Sequence, residues 1–405
     1  MNTVVSLAQT VDAQPINAGR VDVSKGTTIM DASMNWMRRP ADERFLSLRD
    51  MWRHARSQSL VSREKVVAVK NVELLTPEVQ TRDDFNKLRV GLNVGDGFES
   101  FNFSHWSFGQ LSQLAGAPPS YLRTLPSPIV ADAVMYGLRN NRSNPEAKFY
   151  TSDKQLLAAT GPDYGRIPNH EVIEAVGKIA GDGVSNDAAW RVPGMMSWST
   201  MMYDPFHPVT TDTTTLFMSD RDMFIFLTDP HRPIVVGKTK DGMDDVMYRG
   251  FIISQSEVGK SSLWLKAFLF RGVCCNRIIW GADNIETVRI SHTKGAPERW
   301  IRQVEPALIE YAKASDAKIV QTVQNAKAAQ IAQDDDEMVD WLNNRGLSRS
   351  RARSVLEAVE REEGRKARTI WDVTQGVTAI ARELPNTDDR VELETLGGKL
   401  FGLAA

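Results

Sequence analysis

The chain has 405 residues, 42% of them hydrophobic and 25% charged, which is enough apolar material for sizeable cores and two or so folded units. Its 49 Lys and Arg against 51 Asp and Glu leave a net charge of −2, so any affinity for nucleic acid must come from a local concentration of positive charge. Only two cysteines occur, Cys274 and Cys275; neighbours in a strand point to opposite faces, which disfavours a structural bridge between them, and no other cysteine is available for a bridging framework or a thiolate-rich zinc site, which fits a reducing compartment.

Residues 1–33 carry neither the basic start and apolar run of a secretory signal nor any sustained periodicity. They read as a flexible N-terminal arm on a soluble, cytoplasmic protein with no membrane partner. After Trp36 and Pro40, Phe45, Leu48, Met51, Trp52 and Ala55 recur at helical spacing, with Pro40 suited to a first turn. Val66–Leu75 and the two halves of Leu88–Phe103 read as strands, the latter pair turning at Gly95-Asp-Gly97. Ser104 or Ser107 is placed to cap a helix through Leu114, which Gly116-Ala-Pro-Pro119 ends before a further turn at Tyr121. The aromatic residues Phe101, Phe103, Trp106 and Phe108 around His105 have no Lys or Arg beside them and read as packing.

Lys148–Ala159 carries strand or helix edges, and Asn169 is a candidate cap for a helix Glu171–Ile179. Thr210–Thr228 reads as a hairpin turning at Ser219–Asp222, and Tyr248–Ser254 and Leu263–Phe270 continue an antiparallel pattern. Leu263–Phe270 is apolar on both sides, as in a strand covered on both faces. Lys266 breaks that rule, and therefore sits at the edge of the cover or faces a site. From Pro297 one long amphipathic helix is expected, marked by Trp300, Val304, Leu308, Tyr311, Ile319 and Val323. The acidic run Asp334–Glu337 then opens a helical unit. These readings predict an α+β protein with an antiparallel-rich central sheet, packed helices, a long helix and a C-terminal helical unit. Its divisions are residues 1–33, 34–333 and 334–405.

Three motifs bear on chemistry. Glu257-Val-Gly-Lys-Ser-Ser262 lacks the first glycine of a phosphate loop and precedes a strand, so it reads as a tight turn. Asp204, His207, Asp229 and His231 sit in two Pro-rich loops with oxygen and imidazole ligands suited to a transition metal. They lack the helical spacing of strong metal motifs, and no metal ligand, cofactor or catalytic residue is assigned. Glu337–Leu342 and Arg349–Glu360, joined by Asn-Asn-Arg-Gly-Leu-Ser, have the spacing of a helix-turn-helix, with Gly346 allowing the turn and Ser348 available as a cap. Arg345, Arg349, Arg351 and Arg353 cluster there without an acid among them and can neutralise phosphates.

The stretch Met247-Tyr-Arg-Gly-Phe-Ile-Ile-Ser-Gln-Ser-Glu-Val-Gly259, with Phe268-Leu-Phe-Arg-Gly-Val-Cys-Cys-Asn-Arg-Ile-Ile-Trp-Gly281, resembles the phage/plasmid-like family called domain of unknown function 932. Leu111–Tyr121, Asp163-Tyr-Gly165, Met218–Asp222 and Trp371–Ala381 are similar to it as well. The resemblance implies a phage, prophage or plasmid setting in a bacterial host and a role in mobile-element DNA metabolism. By analogy with single-strand-annealing recombinases, which are oligomers with a positively lined groove, it makes Lys260, Lys266, Arg271 and Arg277 groove candidates and Trp264 a stacking surface. The expected function is therefore DNA-associated, binding or annealing single strands without covalent chemistry, with DNA and further copies of the chain as partners. Two alternatives stay open: a metal-dependent enzyme built on the Asp/His loops, and a protein-interaction module acting on a host system.

Overall fold

The computed structural model describes residues 20–22, 43–77, 87–94, 97–197, 202–211, 213–239, 242–272, 277–278, 288–313, 315–384 and 387–405. Trp36, Pro40, Gly95, Asp96, Cys274 and Cys275 lie outside them. The fold is α+β, and among the described residues the strands pair antiparallel save for one pairing. Among the described residues, one sheet has nine strands and a second has six.

The larger sheet centres on Asp244–Gln255 and Leu263–Arg271, which pair antiparallel from Met247↔Arg271 to Ser254↔Trp264. Outward from Asp244–Gln255 come Met223–Thr228, Leu216–Met218, Glu43–Phe45 and Arg20–Asp22. On the other side Leu263–Arg271 pairs with Arg277–Ile278 and Val288–Ile290. Gly250 faces Phe268 in this register, and a Cβ there would sit 2.1 Å from the Phe268 ring, so only glycine lets the ring lie across the strand.

Alternation sends the two sides of this strand pair into different cores. Leu263, Leu265 and Ala267 join Phe251 and Ile253 against Leu48, Met51 and Trp52 of helix Leu48–Val61, Val172 and Val176 of helix Asn169–Ala180, and Trp300, Val304, Leu308 and Tyr311 of helix Ala296–Lys313. Phe268 and Phe270 join Phe217, Phe224, Phe226, Tyr248 and Ile252 on the opposite face, where Val391 of helix Thr387–Gly402 covers them.

The six-stranded sheet runs Ser62–Ala68, Glu146–Ser152, Gln155–Thr160, Gly97–Phe103, Arg89–Val94 and Val72–Leu75, with the parallel contact between Gly97–Phe103 and Gln155–Thr160. It buries Phe101, Phe149, Val90 and Leu92 against Phe108 and Leu111 of helix His105–Leu114 and against Val130, Val134 and Leu138 of helix Ser127–Asn140. Ser104 caps the first of these helices, and the Ser107 hydroxyl returns the bond.

Several expected elements differ. Phe45 ends a strand, and the helix begins at Leu48 because the Ser47 hydroxyl accepts the Asp50 N–H at 3.1 Å. Val66–Leu75 is interrupted by a turn at Val69–Asn71, and Lys148–Ala159 resolves into a hairpin. Helix Ser127–Asn140 escaped the sequence reading although Val130, Ala131, Val134 and Leu138 mark its buried side. Asn169 is the first residue of its helix rather than a cap; its side-chain oxygen accepts from Gln255 instead. The long helix is two, Ala296–Lys313 and Asp316–Ala328, because Ser315 caps the second through the Ala317 N–H. The break also redirects the apolar face: Ile319, Val323 and Ala326 pack with Ile234, Met247 and Leu269 in a separate cluster.

Helices Asp335–Asn343, Arg349–Glu363, Ile370–Arg382 and Thr387–Gly402 follow, with Gly346 at φ 97° making the first turn and Ser348 capping the second helix. They share a core of their own through Leu342, Val355, Val359, Val373 and Val377. Trp371 and Phe401 reach across to Met247 and Leu269 of the central sheet. Trp371 is 1% exposed and bears the Arg271 guanidinium and the Lys327 ammonium 5.2 and 4.9 Å from its ring. Trp371→Ala is expected to cost about 3–5 kcal/mol by urea denaturation, in one transition that takes the sheet and C-terminal helices down together.

Candidate functional site: a basic cleft between sheet and C-terminal helices

Where Leu263–Arg271 leaves the cover of helix Thr387–Gly402, a cleft of 820 Å³ opens between them. One wall is Lys260, Ser261 and Ser262 of the loop, Trp264 and Lys266 of the strand, and Arg289 of the short neighbouring strand. The other is Arg345–Leu347 of the inter-helix turn, Arg351 of the following helix, and Asp389, Val391, Glu392, Thr395, Leu396 and Lys399 of the last helix. Six basic side chains thus face one space against the two acids Asp389 and Glu392.

Local structure explains each position. Trp264 and Lys266 are two apart on one strand and point the same way. The Lys266 ammonium lies 5.0 Å from the Trp264 ring and 3.3 Å from the Thr395 hydroxyl, which holds it at the junction of the walls. Trp264 rests edge-on against Phe224 at 6.0 Å, so its ring is fixed from behind while it remains half-buried. Strand register sets Arg289 directly opposite Trp264, and the Arg289 Nε lies 3.4 Å from the Ser262 hydroxyl. The Arg345 guanidinium lies over the Trp341 ring, 3.7 Å from its centre, and Arg345, Arg351, Arg289 and Lys399 are exposed. Among the described residues none of these four forms an ion pair with a carboxylate.

The cleft gathers Lys260, Trp264, Lys266, Arg345 and Arg351 from the residues singled out in the sequence, and omits the others. Lys260 enters it already paired, its ammonium 2.5 Å from Asp222. Arg349 is exposed on another side of its helix and bonded to Asp340. It lies two positions from Arg351, more than half a helical turn, so both cannot face one wall. Arg353 is exposed outside the cleft lining. Arg277 is placed by its backbone alone, on the edge strand opposite Phe270. Arg289 and Lys399 escaped the sequence reading: nothing local marks a residue that reaches a site through strand register or from the last helix.

Arg271 is a core residue, 4% exposed. Its Nε and Nη2 bond Asp245 at 2.7 and 3.0 Å and its Nη1 bonds Glu363 at 2.5 Å. Burial opposes ionisation of Asp245, yet Arg271 and Lys327 outweigh it and hold the carboxyl below its ordinary value. The Arg271 link ties the sheet to helix Arg349–Glu363.

The two Asp/His loops approach each other, with the Phe206 and His231 rings 5.5 Å apart, but their acids are engaged locally. Asp204 accepts the Phe206 N–H at 2.9 Å and Asp229 the His231 N–H at 3.0 Å, while the His231 Nε2 lies 3.0 Å from the Ala188 carbonyl. Burial raises the Asp229 carboxyl above its usual range. Among the described residues no group of three or more His, Cys, Asp or Glu is arranged to hold a metal ion. The segment Glu257–Ser262 is a turn with Gly259 at φ 82° followed by a strand. No described helix is long and apolar enough to cross a membrane.

Because the folded pKa of Asp245 lies below its unfolded value, the stability it contributes is complete above about pH 4 and is lost as pH falls through the folded value. Arg271→Ala leaves that carboxylate buried without its main partner and is expected to cost about 3–5 kcal/mol, read by urea denaturation at neutral pH. The cost should shrink in acid, where protonation of Asp245 removes the uncompensated charge.

Comparison with known proteins found no match among curated proteins and none among solved structures. A family model does match residues 156–394, which take in the sheet strands from Leu216 to Ile290, helices Asn169–Ala180 and Ala296–Lys313, and most of the cleft lining, but not Thr395, Leu396 or Lys399. That match takes in more than half of the chain, and the protein belongs to the family described as Domain of unknown function (DUF932).

Proposed function

We propose that the cleft binds single-stranded nucleic acid, non-covalently, as part of mobile-element DNA metabolism. The observation that carries this reading is the convergence of Lys266, Arg289, Arg345, Arg351 and Lys399 around Trp264 from segments far apart in sequence. Positive side chains along a groove track a phosphate backbone, and a fixed indole offers any base a face to stack on. The near-neutral total charge gives little long-range steering, so affinity comes from contacts inside the cleft and is salt-sensitive.

Two features favour a single strand over a duplex. A recognition helix reads a major groove with the first residues of one face. Here Arg349 is tied to Asp340, Arg351 turns into the cleft, and Ala352, Val355 and Val359 are buried in the helical core. The stacking surface also lies between two walls, where bases must be splayed from a partner strand to reach it.

Fluorescence anisotropy with a labelled oligothymidylate, titrated with salt, tests the proposal. Binding should weaken linearly on logarithmic axes with a slope of about −0.7 for each phosphate contact. Lys266→Ala and Arg351→Ala should each lower affinity and make that slope shallower by about 0.7. Trp264→Leu should cost about 1–3 kcal/mol with the slope unchanged, because stacking displaces no counterions. Lys260→Ala is expected to do less, since its charge is already met by Asp222. No binding at low salt, or variants that bind like the parent, would overturn the reading.

A further inference from the structure

A second cavity, 390 Å³ in volume, lies where the six-stranded sheet meets the turn Ser219–Asp222 and the loop after strand Asp244–Gln255. Its lining is polar apart from Leu157 and Val258. Glu257 forms part of that lining and keeps partial exposure, although its carboxyl lies deep in the protein. Oε1 accepts the N–H of Asn169 at the start of helix Asn169–Ala180, and Oε2 accepts the Tyr150 hydroxyl at 3.2 Å. Both donors are neutral, and they use two of about four lone-pair directions.

No cation completes the pairing. Among the described residues Glu257 forms no ion pair with Lys, Arg or His. Arg166 comes nearest in effect, but its guanidinium lies 3.8 Å over the Tyr150 ring and its Nε is bonded to Glu64 at 2.5 Å. Burial accordingly pushes the Glu257 carboxyl up and Glu171 adds like charge, while the hydrogen bonds from Asn169 and Tyr150 and the charge of Arg166 offset only part of this. Elsewhere among the described lining residues Arg221 lies 3.6 Å from Asp220, which leaves Asp153 and Lys154 equal in number and no surplus of positive charge for Glu257. A desolvated carboxylate facing a cavity with only neutral donors gains most from a positive partner.

We propose that this cavity is a binding site for a small organic cation bearing a primary ammonium or guanidinium group. Glu257 is its counter-ion, the Asn169 N–H and the Tyr150 hydroxyl fix the carboxylate, and the amides of Gln58 and Asn102 meet the polar remainder of the ligand. The site is separate from the basic cleft, and the proposal holds whether or not the cleft binds nucleic acid.

Isothermal titration of the full chain with agmatine and with putrescine, against sodium chloride of equal ionic strength, tests it. Saturable binding of one ligand per chain is expected for at least one of the two at about pH 8, weakening as the pH is lowered and Glu257 takes up its proton. Glu257→Gln should weaken it by at least about tenfold. Circular dichroism establishes whether that variant folds. If it does not, Tyr150→Phe, which removes one donor and keeps the ring, and the acid titration decide. Absence of saturable heat with both amines overturns the proposal. So does binding indifferent to Glu257→Gln, or to both Tyr150→Phe and acid.

Discussion

The pairing of Asp244–Gln255 with Leu263–Arg271 imposes the constraint from which the rest follows. Both strands are apolar on both sides, so neither face of the sheet can be left to water. One face is closed by helices drawn from before and after the strands, through Trp52, Val176 and Trp300. The other carries Phe217, Phe226, Phe268 and Phe270, and the last helix lies over it through Val391. That cover is incomplete at Trp264 and Lys266. A sheet that must be covered twice, with a helical unit that covers one face only in part, leaves a cleft at the boundary.

Sequence patterning exposed this centre because its physics is local. Alternation over Leu263–Phe270 identified a strand buried on both sides, and Lys266 stood out as the residue that could not be buried there. Caps at Ser104 and Ser348 and the turn at Gly346 were legible for the same reason, since a cap depends on three or four consecutive residues. Failures arose where a local signal had a rival. The amphipathic run from Trp300 to Val323 looks like one helix because its spacing persists across a break made by Ser315. Its two halves serve different cores, a fact that spacing cannot carry.

The cleft itself was half legible. Lys260, Trp264 and Lys266 lie within seven residues, and Arg345 and Arg351 within another seven, so composition marked both walls. That the two walls face each other is a tertiary fact. Arg289 reaches the site because its strand pairs beside Trp264, and Lys399 because the final helix folds back over the aromatic face. Arg271 illustrates the opposite error. In sequence it is a cation beside Lys266, whereas in the fold it is the partner of Asp245 and Glu363, and its charge is needed inside.

In a chain with balanced charges, a basic residue is most often balanced by an acid nearby, and the informative question is which are not. Arg271, Arg349 and Lys260 each meet a carboxylate, so their charge is spent on the fold. Arg345, Arg351, Arg289 and Lys399 meet none among the described residues, and all four line one cleft. Glu257 is the mirror case, a carboxylate met by an amide and a phenol. The loop from Ser256 to Ser262 joins the two: Val258 is anchored by Trp106 and Gln110 at 2.8 and 2.7 Å, with Glu257 and its cavity on one side and, past the paired Lys260, the basic cleft on the other. Charge left uncompensated in both signs, on either side of one anchored turn, is where this fold departs from self-sufficiency and where partners of opposite charge have most to gain.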